Sequence, residues 1–375
     1  LRNDGGICSA CLFGGPNNTR TIYKVDPGQY FKGSYKAGKK VAPVNGLTAY
    51  KLSSNEVAHS PLPSVVAAIV DAANEINRYP DPFTTNLIQA LSSKFGVPTE
   101  QIATGTGSVG VCQQIIQSVA GAGDEVIYAW RSFEAYPIIA TIAGAVSVQV
   151  PLTNTGQHDL AAMLNAITSR TRAIFVCTPN NPTGGIVTQQ EINEFLAKVP
   201  KNILVVIDEA YVEFNRDANA IDGIATLKAH SNVGVLRTFS KAYGLAGLRV
   251  GYFIGPKNIA EAVRKTAVPF GVSNIAQVAA VASLEHEAEL FKRVEEVIAE
   301  RTWFESELTK LGFKLPPSQA NFVWIPLGER TEEFALRSEG IAVSIRPFPG
   351  EGVRISIGER QALERVIELA GEFVF

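Results

Sequence analysis

The residues of this chain best suited to chemistry fall in short polar clusters, each directly behind a run of β-branched and apolar residues. One run ends in Leu236-Arg237-Thr238-Phe239-Ser240-Lys241, and Arg249 lies eight residues beyond the lysine. A second, Ile203–Ile207, ends in Asp208-Glu209-Ala210-Tyr211. A third, Ala173–Cys177, ends in Thr178-Pro179-Asn180-Asn181-Pro182-Thr183-Gly184. An amine can form an imine with a carbonyl, and a guanidinium with hydroxyls can hold a phosphate. In open α/β sheets, ligands bind outside the carboxyl ends of the strands, where these three clusters would meet.

Gly105-Thr106-Gly107-Ser108-Val109-Gly110 adds a G-x-G-x-x-G spacing between a candidate strand and a candidate helix. A nicotinamide dinucleotide site would also need an acidic residue at the far end of the next strand. Asp124 and Glu125 precede that strand, and its far end offers Trp130-Arg131-Ser132. What survives is a glycine-rich helix N-terminus suited to a single phosphate. No metal triad is visible, because His59, His158, His230 and His286 are scattered. Cys8 and Cys11 form the only close pair, without a second pair or a nearby histidine, and read as two plain thiols.

The elements that must position these clusters alternate. Candidate strands are Gln101–Thr104, Glu125–Ala129, Val146–Val150, Ala173–Cys177, Ile203–Ile207, Gly234–Arg237 and Val250–Ile254, separated by helix-length segments. That order predicts an α/β fold with a largely parallel seven-stranded sheet flanked by helices. Pro63 to Ala73 and Asn86 to Phe95 read as helices ahead of it. Beyond Val272, Leu290, Val294, Val297, Ile298, Phe304, Leu308 and Leu311 follow a helical stripe closed by Gly312. Strand-like runs at Asn321–Ile325 and Val353–Ile357 then predict a smaller α+β domain. The expected division is an N-terminal arm at 1–50, a large domain at 51–275 that carries the three polar clusters and a small domain at 276–375.

Composition narrows the partners. The 375 residues are 46% hydrophobic, with 34 basic against 36 acidic side chains, so neither a nucleic-acid surface nor a polyionic partner is expected. The uncharged stretch from Ala135 to Gln157 is broken by Pro137 and Pro151 and reads as buried helix plus strand, not a membrane span. Four cysteines make no disulfide framework, no signal peptide is apparent, and the expected compartment is cytoplasmic. A small-molecule partner remains.

Taken singly, each candidate has a plainer explanation. A lysine after a strand is usually solvated, Asp208 could cap a helix, Tyr79 and Phe133 could be core aromatics, and Asn181 could simply turn the chain before Pro182. Their joint order changes the reading. From about Tyr35 to the C-terminus the chain resembles the fold-type I pyridoxal-phosphate aminotransferases, in the histidinol-phosphate and aromatic branch. The resemblance implies an aspartate-aminotransferase-like fold, pyridoxal 5'-phosphate as cofactor, and a homodimer acting on an amino acid and a 2-oxo acid. It implies that Lys241 forms the imine, that Asp208 pairs with the pyridine nitrogen, and that Tyr211 and Asn181 contact the ring oxygen. Phe133 would stack on the ring, while Thr238, Ser240, Arg249 and the backbone of Gly107, Ser108 and Val109 would hold the phosphate. Tyr79 would reach the phosphate of the neighbouring subunit.

On the substrate side, the resemblance implies that Arg354 forks the α-carboxylate, and offers Arg346 as a second anion site, with Tyr35 and Asn55 lining the cavity. Histidinol-phosphate members commonly read N-E-N-P where this chain has Asn55-Glu56-Val57-Ala58. Residues Trp130 to Tyr136 and Pro316 to Phe322 look more like the phenylalanine-type members. The expected reaction is therefore transamination from an aromatic amino acid to 2-oxoglutarate. The alternative is histidinol phosphate as donor; a decarboxylase or lyase on the same scaffold and an NAD-dependent dehydrogenase rank below both.

Overall fold

The computed structural model describes residues 38–374. Strand β1 (Tyr50–Lys51) leads into two helices, Pro63–Ala73 and Thr85–Phe95. Seven strands then build the main sheet: β2 (Ile102–Gly105), β3 (Glu125–Trp130), β4 (Val146–Pro151), β5 (Thr171–Cys177), β6 (Leu204–Asp208), β7 (Val233–Thr238) and β8 (Gly251–Ile254). Their spatial order is β2-β8-β7-β6-β5-β3-β4. Neighbours from β7 across to β4 run parallel, whereas β8 is antiparallel to both β2 and β7. All seven expected strands are present, with ends shifted by at most two residues, as is usual for strand boundaries.

The central strands are apolar on both faces because both faces are covered, the usual condition of parallel sheets. Their two-residue period divides them cleanly. Ile127, Ile174, Val205, Ile207 and Val235 join one hydrophobic cluster, and Val126, Phe175, Val206 and Leu236 join the other. Helix Gly107–Val119 packs Val111, Ile115 and Ile116 into the second cluster, and helix Gln189–Leu196 packs Ile192, Phe195 and Leu196 into the first. Each such side chain contributes roughly 1.5–3 kcal/mol when fully buried. Edge strand β4 has only Val150 fully buried. That leaves its outer positions free to be polar, as Gln149 is.

Helices Asn274–Glu285 and Glu287–Lys310 follow. The stripe expected on the long helix buries Leu290, Val294, Val297, Phe304 and Leu308, and also Arg301, whose guanidinium donates to the carbonyls of Phe214 and Ala320. Beyond it, β9 (Phe322–Pro326), β10 (Val343–Ser344), β11 (Arg346–Phe348) and β12 (Gly352–Ser356) are joined by helix Thr331–Gly340. The antiparallel order β11-β12-β9 forms a small sheet, and β10 pairs in parallel with β1. Helix Arg360–Gly371 ends the described fold. Among the described residues no helix is long and apolar enough to cross a membrane. Cys112 and Cys177 are buried thiols, while Cys8 and Cys11 lie outside the described residues.

Candidate active site

Parallel strands end in register, and this is what gathers the clusters. Cys177 at the end of β5 pairs with Asp208 at the end of β6, which pairs with Leu236 in β7. Asp208 is 4% exposed. The hydroxyl of Tyr136, from the helix behind β3, donates to its Oδ2 at 2.6 Å, while Oδ1 has no partner. Burial pushes the carboxyl up to about 6; the Tyr136 hydroxyl pulls it back and neighbouring Glu209 adds to the rise. A buried carboxylate with one satisfied oxygen is suited to a ligand that brings an N–H or a positive charge.

Lys241 follows β7 in a turn. Its amine donates to the carbonyls of Ser54 at 3.3 Å and Asn55 at 3.1 Å. Burial lowers the amine to about 7, the Arg354 guanidinium pushes it further down, and Glu56 opposes them. A substantial fraction of the amine is thus neutral near pH 7, as a nucleophile or proton acceptor must be.

Asn55 ties the site together from a left-handed backbone at φ 53°. Its Nδ2 donates to the Tyr211 hydroxyl at 3.0 Å, its Oδ1 accepts from Ser356 Oγ at 3.1 Å, and its carbonyl also accepts from Asn321 Nδ2 at 3.2 Å. Because the Tyr211 oxygen accepts this bond, its own proton is available to another acceptor. Burial raises the Tyr211 hydroxyl well above its ordinary range, so it stays protonated.

At the neighbouring end of β2, helix Gly107–Val119 opens with Thr106 as its N-cap, without a side-chain cap bond. Gly107 has φ 73°, and a Cβ there would strike the Arg249 guanidinium. Arg249 itself has φ 55° and donates to Ser240 Oγ at 3.2 Å and to the Ala246 carbonyl at 2.9 Å. The Ser240 amide donates to Thr238 Oγ1 at 3.1 Å. Uncapped helix amides, a guanidinium and two hydroxyls converge as an anion cradle.

Asn55, Ser108, Val109, Asp208, Tyr211, Thr238, Ser240, Lys241 and Arg249 line one cavity of 440 Å³, together with Phe133, Asn181, Arg346 and Arg354. Arg354 is buried in β12; it donates to Asn181 Oδ1 at 2.6 Å and to the Ser53 carbonyl at 2.9 Å. Arg346, opposite it in β11, is ion-paired with Glu134 at 2.6 Å. Tyr79 is absent from the cavity wall: it is 83% exposed and lies against Phe270, with ring centroids 4.7 Å apart. Tyr35 lies outside the described residues. Sequence reasoning missed Tyr136, Glu134, Ser356 and Asn321. For Tyr136 the only local signal is its place in the aromatic segment after β3, where its ring meets Phe133 edge to face with centroids 5.6 Å apart.

The family model for class I and II aminotransferases matches residues 48–369. The chain belongs to this family. It is 57% identical to an aromatic amino acid aminotransferase of Streptomyces coelicolor over 91% of this chain and 94% of the relative. It is 52% identical to one of Thermobifida fusca over 86% and 90%. Among solved structures, a histidinol-phosphate aminotransferase from Sinorhizobium meliloti, in complex with pyridoxal-5'-phosphate, aligns with a TM-score of 0.81 at 29% identity, covering 87% of this chain and 90% of that one. An aspartate aminotransferase of Thermus thermophilus with maleate aligns at 0.77 and 25%, covering 88% and 92%. The enzyme is thus a transaminase with pyridoxal 5'-phosphate as its cofactor and the expected α/β architecture. The residues present fit that group. The open Asp208 Oδ1, the depressed Lys241 amine and the cradle that a Cβ at Gly107 would fill lie on one cavity.

Proposed function

We propose that this aminotransferase moves the amino group of an aromatic amino acid to 2-oxoglutarate. The observation that carries the reading is the pairing, in one cavity, of the Lys241 amine and the Arg354 guanidinium with an apolar wall of Phe133, Ile138 and Ile142. The names of the 50–57% identical relatives support it. Arg354 presents a planar fork to the substrate α-carboxylate, and the aromatic ring takes the apolar wall.

In this reading Asp208 would hold the cofactor's ring nitrogen, Tyr211 and Asn181 would hold its ring oxygen, and Phe133 would stack on it. Thr238, Ser240, Arg249 and the amides of Gly107, Ser108 and Val109 would hold its phosphate. The bound cofactor supplies an electron sink that makes the substrate Cα proton acidic. Lys241 Nζ, whose lowered basicity leaves a substantial fraction of it neutral near pH 7, would take that proton and carry it until it is returned. Tyr136 keeps Asp208 oriented, and Arg354 fixes the substrate so that its Cα faces Nζ.

Histidinol phosphate as donor is the second reading, favoured by the Sinorhizobium meliloti neighbour. It lacks the α-carboxylate and brings a dianion, for which Arg346 would have to leave Glu134. Comparing kcat/KM for phenylalanine, tyrosine and histidinol phosphate tests the proposal. A tenfold preference for histidinol phosphate, about 1.4 kcal/mol in transition-state binding, overturns it. Release of no 2-oxo acid would point instead to a lyase or decarboxylase.

The proposed assembly is a homodimer with Tyr79 serving the neighbouring site. Support comes from the exposed apolar surface of Tyr79, Phe83, Val268 and Phe270, which are 83%, 75%, 74% and 43% exposed. Sedimentation of a fully active monomer would refute it. The division into a cofactor-binding body at 51–275 and a smaller domain at 276–375 is supported by the seven-stranded sheet lying within the first range and the β11-β12-β9 sheet within the second, while the short β1-β10 pair bridges them. A cytoplasmic location is proposed on the scarcity of cysteine.

A further inference from the structure

The cavity carries a charge pair that the proposed chemistry does not use. Glu134 sits at the start of the helix behind β3, Arg346 in β11, and both line the cavity. Their ion pair at 2.6 Å joins residues 212 apart in sequence, and the arginine side chain is 9% exposed against 25% for the glutamate. Arg131 and Glu351, the flanking pair at 2.6 Å, again link the segment after β3 to the small sheet. A largely buried arginine on a substrate cavity is a strong anion site when free and an electrically quiet wall when a carboxylate occupies it.

We propose that Glu134 is a specificity-determining residue: a built-in carboxylate that neutralises Arg346, so that the cavity takes an uncharged aromatic side chain and admits a distal carboxylate only in competition. This deepens, and rests on, the aromatic reading above. An incoming dicarboxylate must displace Glu134 from Arg346 and then tolerate its negative charge nearby. An aromatic ring needs neither step, and specificity arises from the repulsive element as much as from the apolar wall. The same pair accounts for one site serving two kinds of substrate in turn. The aromatic donor leaves it closed, and the 2-oxo diacid opens it at a cost in affinity.

The test is binding to the cofactor-loaded enzyme of two unreactive ligands, glutarate and 3-phenylpropionate, in wild type, Glu134→Gln and Glu134→Asp. Wild type is expected to prefer 3-phenylpropionate. Glu134→Gln should move the ratio of dissociation constants fivefold or more toward glutarate, and Glu134→Asp should move it less than Glu134→Gln does. A shift below fivefold in Glu134→Gln overturns the proposal. Should that variant not fold, Arg346→Gln gives the complementary reading. Glutarate must then weaken by fivefold or more while 3-phenylpropionate holds, and equal weakening of both overturns the proposal. Wild-type turnover separates the two levels. If phenylalanine yields no 2-oxo acid, the aromatic reading fails and takes this proposal with it; if it does and the ratio stays put, only the role of Glu134 fails.

Discussion

Replacing Asp208 with asparagine should make the apoenzyme more stable while disabling it. The carboxyl stands at about 6 in the fold against an ordinary 3.8, chiefly through burial. A raised carboxyl binds its proton more tightly folded than unfolded. Its destabilising effect is therefore absent below the unfolded value, grows as pH rises between the two, and is complete above about 6. With about 1.4 kcal/mol per pH unit, ionised Asp208 costs the apoenzyme up to about 3 kcal/mol. Asparagine carries no charge, and its amide oxygen still accepts from the Tyr136 hydroxyl that now bonds Oδ2 at 2.6 Å. Urea unfolding of apo wild type and apo Asp208→Asn from about pH 4 to 8 is the assay. The variant should gain on wild type steadily across that window, with the gain levelling off above about pH 6. Turnover should fall at least a hundredfold, because the asparagine cannot hold a protonated ring nitrogen by charge. Equal stability of the two proteins throughout the window would refute the burial argument, whatever happened to turnover.

Lys241→Ala should lose the visible absorbance band that borohydride removes from wild type. The rate at which wild-type apoenzyme captures the cofactor should rise with a midpoint near 7, the position to which burial lowers the amine; a midpoint near 10.5 would contradict it. Gly107→Ala combines a left-handed φ of 73° with a Cβ directed at Arg249, so inorganic phosphate and cofactor should each bind at least tenfold more weakly. Unchanged phosphate affinity would remove Gly107 from the cradle. Arg354→Lys gives up the fork that meets Asn181 and Ser53, and kcat/KM for phenylalanine should drop by two orders of magnitude or more. Tyr79→Phe should weaken cofactor binding by roughly 1.5–3 kcal/mol if its hydroxyl meets a charged phosphate, and equilibrium dialysis of the dimer would show no change if it does not.

The strands were legible as short runs rich in β-branched residues, of which those before Thr178, Asp208 and Thr238 end in polar clusters, set between helix-length segments. The positions of Asp208, Asn181 and Lys241 followed directly, since parallel strands must deliver their C-terminal residues to one edge. The reversed direction of β8 was not legible: Val250–Ile254 reads the same whichever way it runs, and only pairing with both β2 and β7 decides. The two-residue strands β1 and β10 are too short to show a period, and their residues depend on each other for a partner. Side-chain pairs such as Tyr136 with Asp208 and Glu134 with Arg346 join residues 72 and 212 apart, and nothing local in either member announces the other. The anion cradle was half visible. The glycine spacing taken alone suggests a dinucleotide and the missing acidic residue after the next strand reduces it to a site for one phosphate, while the close approach of the Arg249 guanidinium to Gly107 shows only in the fold.

The bonds that Asn55 makes to Ser356 span 301 residues, nearly the whole described chain. A growing polypeptide can complete β2 through β8, and with them the Asp208 and Lys241 positions, long before Ser356 is synthesised. Until then the Ser54 and Asn55 carbonyls that receive the Lys241 amine have no anchor in β12. Long-range closures of this kind come late, because loop entropy must be met before their contacts form. The active site therefore matures as one of the last acts of folding, and a nascent chain stalled short of β12 would hold its lysine without the setting that tunes it.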